Sequence, residues 1–423
     1  MAEATVPTTT TSLRRNRNFL LLWIAQFISA AGDTFTFLAA AIKIDSLFTE
    51  AGDSTRALAG VMISFVMPQL LLALFAGTLA DRINRRVVMI ASDVGRALLI
   101  PGLLLLRDAK DLPLAFAIAF LVSSFSVFFN PARTALLPML VADHNLLPAN
   151  SWMQVGRTIS TLVGPILAGI VVAHWGTDVA FLIDASSFLI SAMLLAGIRV
   201  MAVARPAEEE RPSAWSDLTE GIRFATGSRL VKGIALGVGL AMLGVGAVDV
   251  LFVPFTRRIL GAGTEALGLI MTVQGTGMMA GGLLLGTLSK RLPARAVALA
   301  SMTLLGIALG AFGFAPTLAV AVAIILFLGF AIPPVSASLR TMLQEGVGNE
   351  ILGRAGAVME TASSVATLVS MGAAGWVANA VGIRETYMLG GGLVLLGTAA
   401  MGFLVSGEKK RPSQTAALSS RGE

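Results

Sequence analysis

The chain has no cysteine and only two histidines among its 423 residues. Without cysteine there is no disulfide, no thiol nucleophile and no thiolate metal site. His144 and His174 lie 30 positions apart, too few for a histidine metal cage. Charge is the second scarcity. Only 13% of residues are charged and 55% are hydrophobic, against the ~25% charge usual in soluble domains. Mean hydropathy is +0.81. A soluble protein of this length cannot cover its surface with so little charge, and the same numbers exclude disorder for most of the chain. The net charge of +6 is no nucleic-acid signature, because the basic residues punctuate apolar runs instead of clustering on one face. No phosphate loop of the form G-x-x-x-x-G-K-S/T is present, which argues against a primary pump. A membrane enzyme would need a nucleophile–base pair or a metal cluster, and neither is visible, so neither enzymatic activity nor a cofactor is expected.

What the chain has in abundance is long apolar stretches. A helix crossing the ~30 Å hydrocarbon core needs about 20 apolar residues. The longest stretch, Ala296 to Leu339, runs 44 residues without a charge. At ~1.5 Å per residue it reaches about 66 Å, which is two crossings, and Pro316 marks the turn between them. The whole chain then reads as an all-α integral membrane protein with twelve spans: 19–42, 58–80, 87–106, 112–131, 152–173, 179–198, 233–254, 266–289, 296–314, 317–337, 355–379 and 386–405. None of these segments shows the alternation of a transmembrane barrel. The first is too long for a cleaved signal peptide and is interrupted by Asp33. With the N-terminus inside, 22 of the 31 basic residues fall in inside segments, seven in outside loops and two, Arg96 and Arg157, within spans. This bias places both termini in the cytoplasm. The division that follows is an N-terminal tail 1–18, a six-helix bundle 19–200, a cytoplasmic linker 201–232 with a short surface helix near 214–226, a second bundle 233–405 and a C-terminal tail 406–423.

The six-plus-six split coincides with an internal repeat. Residues 57–88 align with 266–297 at an offset of 209, and Gly77-Thr78-Leu79 matches Gly286-Thr287-Leu288. A second block aligns at 206, where Thr161-Leu162-Val163 and Ala168-Gly169 match Thr367-Leu368-Val369 and Ala374-Gly375. Two blocks in the same order at nearly the same offset predict two pseudo-symmetric six-helix bundles related by a parallel repeat. Such transporters place their substrate near the midplane, between the repeats.

The loop after the second span, Gly77-Thr78-Leu79-Ala80-Asp81-Arg82-Ile83-Asn84-Arg85-Arg86, resembles the cytoplasmic G-x-L-a-D-r-x-G-r-r signature of the Major Facilitator Superfamily. Asn130-Pro131-Ala132-Arg133, Leu137-Pro138, Ala149-Asn150-Ser151 and Ile183-Asp184-Ala185-Ser186-Ser187-Phe188-Leu189 resemble its branch of enterobactin exporters and macrolide-efflux permeases. Gly164-Pro165 with Ala168-Gly169 is similar to its antiporter motif, with Ala168 at a usual glycine. The resemblance implies alternating access and export of an amphipathic organic compound (drug, siderophore or related metabolite), coupled to an ion gradient, with protons as the expected ion. It also implies a gate in which Asp81, supported by Gly77 and the positive charges of Arg82, Arg85 and Arg86, faces the start of the eleventh span. Three departures stand out. Asn84 replaces the signature glycine, where a left-handed turn is expected and Asn tolerates it best. Lys290 takes the place of Asp81 in the second copy, and the fourth span carries no interior arginine.

Ionisable groups inside spans are functional candidates because burying them is costly. Asp33 lies about 21 Å into the first span. It either lines a cavity, binding protons or a cationic substrate, or caps local structure near the outer interface. Asp249, on the repeat counterpart of that span, is a second candidate or an interfacial residue. Arg157 and Glu360 lie at similar depths of the fifth and eleventh spans and suit an inner gate, a polar substrate group or snorkelling. Gln26, Gln69 and Gln274 can bond a ligand or a neighbouring helix. Asp93 with Arg96, one turn apart, reads as a structural pair, and Asp184 likewise as structural. Gly164-Pro165 and Pro333-Pro334 are hinge candidates. The expected partners are a small-molecule substrate, protons and the bilayer, with a monomer as the functional unit. Import, lipid transport or facilitated diffusion on the same fold stay open, as does a non-transporting receptor or scaffold, though the chain has no sizeable soluble domain to signal with. The substrate is not written in the sequence.

Overall fold

The computed structural model describes residues 13–199, 228–347 and 349–406, and the side chains of 51, 73–82, 143, 349–354, 357 and 406 lie outside that description. The predicted linker helix near 214–226 and the outer parts of both tails also lie outside it. The helices are α1 (Arg17–Ser46), α2 (Ala51–Arg82), α3 (Arg85–Leu99), α4 (Leu112–Leu136), α5 (146–175), α6 (177–196), α7 (Arg229–Pro254), α8 (Thr264–Leu288), α9 (Ala294–Phe314), α10 (Leu318–Gly346), α11 (Asn349–Val381) and α12 (Ile383–Ser406). Among the described residues, eleven continuous helices are long and apolar enough to cross a membrane, and the longest counts twice. At Gly176 the backbone turns to φ 84° and ψ 171°, which a helix cannot contain. The chain reverses there. Trp23 near the start of α1 bonds the Trp152 carbonyl of α5 (2.7 Å), and Asn18 bonds the Arg199 carbonyl just past α6 (2.9 Å), so both helices flank α1 antiparallel to each other.

Polar side chains start the helices as their chemistry requires. Asn16 accepts from the Phe19 amide (3.1 Å), Ser228 from Val231 (3.4 Å) and Thr317 from Val320 (3.5 Å). Asn84 is a correction to the expected left-handed turn. Its φ is −60°, and its side chain caps α3 by accepting from the Arg86 amide (3.0 Å). The signature glycine is replaced by a helix cap. The helix of α3 tightens to 3-10 geometry over Ile100–Leu105, where Pro101 enters.

The repeat is carried by specific bonds. Ser160 of α5 donates to the Phe27 carbonyl of α1 (3.1 Å), and Ser370 of α11 donates to Leu243 of α7 (2.7 Å). Arg86 at the start of α3 donates to the carbonyls of Leu195 and Ala196 at the end of α6. Arg295, its partner at offset 209, donates to Gly402 (3.0 Å) and Val405 (3.5 Å) at the end of α12. In each half a guanidinium satisfies the orphan carbonyls at a helix C-terminus, where positive charge is favoured. Glycine lets the second half pack helix on helix: a Cβ at Gly244 would lie 2.3 Å from the Gly390 carbonyl, and one at Gly281 would lie 2.1 Å from Phe330 O. The outward faces carry exposed apolar side chains such as Leu98 (74%), Leu283 (74%) and Phe327 (55%). Water disfavours such a surface and lipid does not.

Candidate functional site

Asp33 sits near the middle of the 30-residue α1. Its side chain is 54% exposed, yet it lies deep within the protein, opening into a cavity of about 360 Å³. The cavity is walled mainly by the first half, with Thr36, Phe65, Ser126 and Asp184, and closed by Met271 from α8. Both halves therefore contribute.

Behind Asp33 the structure assembles a network that sequence separation hides. Gly32 lets α6 come close, since a Cβ there would lie 2.5 Å from Asp184 Oδ1 and nearer still to the Ser187 hydroxyl. Arg96 of α3 pairs with Asp93, as the one-turn spacing predicts. Its guanidinium also reaches Asp33 at 4.0 Å and the Ser126 hydroxyl of α4 at 3.3 Å. Ser191 of α6 donates to Asp93 (2.5 Å), and Ser187 donates to Asp184 (3.2 Å). The rings of Phe188 (4.1 Å) and Phe129 (4.9 Å) hold the guanidinium between them. Where the interior of α4 carries no arginine, Arg96 of α3 lies behind the cavity and reaches Asp33. Asp93 and Arg96 form the pair their spacing predicts, and together with Asp184 they lie against Asp33.

The other candidates are dispersed. Gln26 accepts from Arg133 of α4 (3.1 Å) toward the end that bears the termini. Arg157 is exposed on α5, and its charge reaches both Asp33 and Arg133. Asp249 is exposed late in α7, within electrostatic reach of the buried Tyr387. Glu360 is exposed on α11 and Gln274 half-buried on α8, and neither lines this cavity. Gly164-Pro165 does not break α5 but makes its closest crossings. A Cβ at Gly164 would lie 2.8 Å from the Thr34 hydroxyl, and the Pro165 carbonyl abuts Gly268 of α8. The side chains of Gly77, Asp81 and Arg82 lie outside the described residues. Arg86, read as part of that gate, makes the helix cap described above.

At the end away from the termini the halves are latched, a feature the sequence reading missed. Asp45, in the last turn of α1 and 3% exposed, accepts from Arg257 and Arg258 (2.9 Å each) and from Ser54 (2.5 Å). Arg258 also bonds the carbonyls of Phe48 (3.1 Å) and Thr49 (3.0 Å). Both arginines sit in a π-turn, Phe255–Ile259, that ends α7, and its wider ring aims the two consecutive guanidiniums at one carboxylate. Below it Phe255, Phe312 and Tyr387 pack with centroids 4.9 to 5.2 Å apart. Arg56 of α2 stacks on Trp376 of α11 (5.5 Å), His174 faces Glu265 (3.8 Å), and Gly169 meets Gly268. Among the described residues, the ion pairs joining the halves are all at this end. The available signal was opposite charge at the same ends of repeat-related helices.

Comparison with known proteins agrees with this fold. The family model described as transmembrane secretion effector matches residues 8–418. Macrolide efflux protein A of Streptococcus pyogenes is 22% identical over 381 residues, covering 89% of this chain and 93% of that protein. The multidrug efflux pump Tap of Mycolicibacterium fortuitum is 26% identical over 398 residues, covering 90% and 94%. Among solved structures, a bacterial homologue of the iron transporter ferroportin in an inward-facing state superposes with a TM-score of 0.76 at 16% identity, covering 93% of this chain and 99% of that one. At that identity the likeness is one of fold.

Proposed function

The chain belongs to the transmembrane secretion effector family of bacterial multi-pass transporters, and from that premise we propose that it exports an amphipathic organic compound across the cytoplasmic membrane by alternating access, with protons as the coupling ion. The observation that carries the reading is the cavity at Asp33: an acid near the middle of a membrane helix, facing a hollow lined by the first half and reached by Met271 of the second, with a latched end. With both termini in the cytoplasm, as the basic residues favour, the Asp45 latch is the outer gate. The conformation is then the one open to the cytoplasm. The cavity offers a carboxylate, hydroxyls and the rings of Phe37 and Phe65, a mixture suited to a molecule with a polar or cationic head and an apolar body. The named relatives, a macrolide efflux protein and a multidrug pump, support the outward direction.

In this reading residues 201–232 link the two bundles on the cytoplasmic side, although helix α7 already begins at Arg229. Asp81 closes the cytoplasmic end against α11 in the opposite state. One chain suffices, because the cavity is complete within it, and the cargo passes chemically unchanged. The test uses ethidium and erythromycin as probes in everted membrane vesicles. Uptake of either driven by an imposed proton gradient, and abolished by Asp33→Asn, supports the proposal. Probe accumulation in intact cells instead would establish import and refute it. Spin labels on the cytoplasmic ends of α2 and α11 test the Asp81 gate, since Asp81→Ala is expected to part them, and unchanged distances would remove it.

A further inference from the structure

We propose that Arg96 positions an exchangeable proton: one guanidinium, shared between Asp33 and Asp93, decides which carboxyl of the set Asp33, Asp93 and Asp184 carries it. This deepens the transport reading of the cavity and rests on it.

Charge counting comes first. Asp93 (0% exposed), Asp184 (1%) and Arg96 (3%) are almost shut off from water, with Asp184 at the cavity wall, whereas the Asp33 side chain is 54% exposed to the cavity. Two buried ionised carboxylates, Asp93 and Asp184, against the one buried cation, Arg96, would leave one uncompensated buried charge, which burial disfavours strongly. Arginine does not give up its own proton, and the two flanking phenyl rings favour its charged form. The groups facing the set are Asp33 and Thr36 on α1, Asp93 and Arg96 on α3, Ser126 on α4, Arg157 on α5, and Asp184, Ser187 and Ser191 on α6. Of the two cations, only Arg96 is in contact with a carboxylate. A bound proton is the remaining way to lower the charge.

A second, independent observation locates it. Asp184 Oδ1 accepts from Ser187, and the Thr36 hydroxyl lies beside Asp184 on the cavity wall. Protonated, Asp184 can donate to the Thr36 oxygen, so this corner can hold the proton that the charge balance calls for.

The step moves one proton between Asp184 and Asp33, one carboxyl losing it as the other gains it, while Arg96 stays charged. With Asp33 ionised, Arg96 is divided between Asp33 and Asp93. With Asp33 protonated, or matched by a cationic substrate, Arg96 turns wholly to Asp93. The cavity's occupancy thereby changes how firmly α1 is tied to α3. The seat of coupling is a buried ion pair behind the cavity, one helix layer from the cargo.

Infrared titration of the full-length protein in lipid nanodiscs tests this without a substrate. The wild type is expected to show a carboxyl C=O band that titrates and is lost in Asp184→Asn. Asp93→Asn leaves Arg96 to Asp33 alone and is expected to lower the pH of half-titration by about one unit or more. Arg96→Gln is expected to raise it by a similar amount, and Arg96→Lys by less. A folded Asp93→Asn protein that titrates like the wild type, or a wild type with no titrating band, overturns the proposal. If Asp33→Asn stops ethidium export while Asp93→Asn leaves the titration unmoved, the proposal falls and the transport-site reading stands. If the titration moves but Asp33→Asn exports ethidium at the wild-type rate, that reading falls alone.

Discussion

Replacing Asp45 by Asn tests whether the latch holds the halves together. The carboxylate accepts two charge-assisted hydrogen bonds from Arg257 and Arg258 and one hydrogen bond from Ser54, with only 4% of its side chain exposed. Breaking a buried pair costs ~3–5 kcal/mol. Two features reduce that figure here. The arginine side chains remain 34% and 22% exposed, and Asn retains an acceptor oxygen. About 2 kcal/mol is then lost from the two arginine contacts, all of it from the state closed at this end, because Arg257 and Arg258 are on the opposite half from Asp45. That amounts to a shift of about 30-fold toward the opposite state. The chain has no cysteine, so single cysteines at Glu50 and Glu385, both exposed at the latched end, can be spin-labelled cleanly. Electron–electron distance measurements should show a long-distance population growing in Asp45→Asn and absent or minor in the parent. Identical distance distributions in parent and mutant would refute the latch.

Asp33→Asn is expected to slow gradient-driven ethidium uptake by everted vesicles at least tenfold and to flatten its pH dependence; a wild-type rate and pH profile would remove Asp33 from the mechanism. At Gly268 a Cβ would lie 2.4 Å from the Pro165 carbonyl, so Gly268→Ala should cost the latched state ~1–3 kcal/mol by overpacking. The same label pair should read that cost as a wider opening, and an unmoved distribution would show that α5 and α8 tolerate the methyl. Arg86→Ala and Arg295→Ala each remove bonds to helix-end carbonyls, worth ~1–3 kcal/mol. Both should lower thermal stability in detergent to a similar degree, whereas a loss in only one would break the repeat argument.

The fold was largely legible in one dimension. Span positions, the six-plus-six division and the repeat follow from hydropathy and spacing, because lipid demands about 20 apolar residues per crossing whatever the packing. The 209 offset even pairs Arg86 with Arg295, whose twin caps the structure displays. Asp33 was legible for the same reason, since an acid at that depth needs an explanation. Three things were decided only by tertiary structure. Asp93, Arg96 and Asp184 read as structural, but the close approach of α6 at Gly32 sets Asp184 beside Asp33, and Arg96 of α3 reaches Asp33 at 4.0 Å. Arg257 and Arg258 counted merely as outside charges until the π-turn aimed both at Asp45. Asn84 looked like a substitute for a left-handed glycine, yet its side chain caps α3. Hydropathy acts on each residue wherever it lies, so a string of letters carries it. A buried side-chain network or a latch depends on angstrom distances between helices, and those are set by small residues and turns whose effect exists only once the chain has packed.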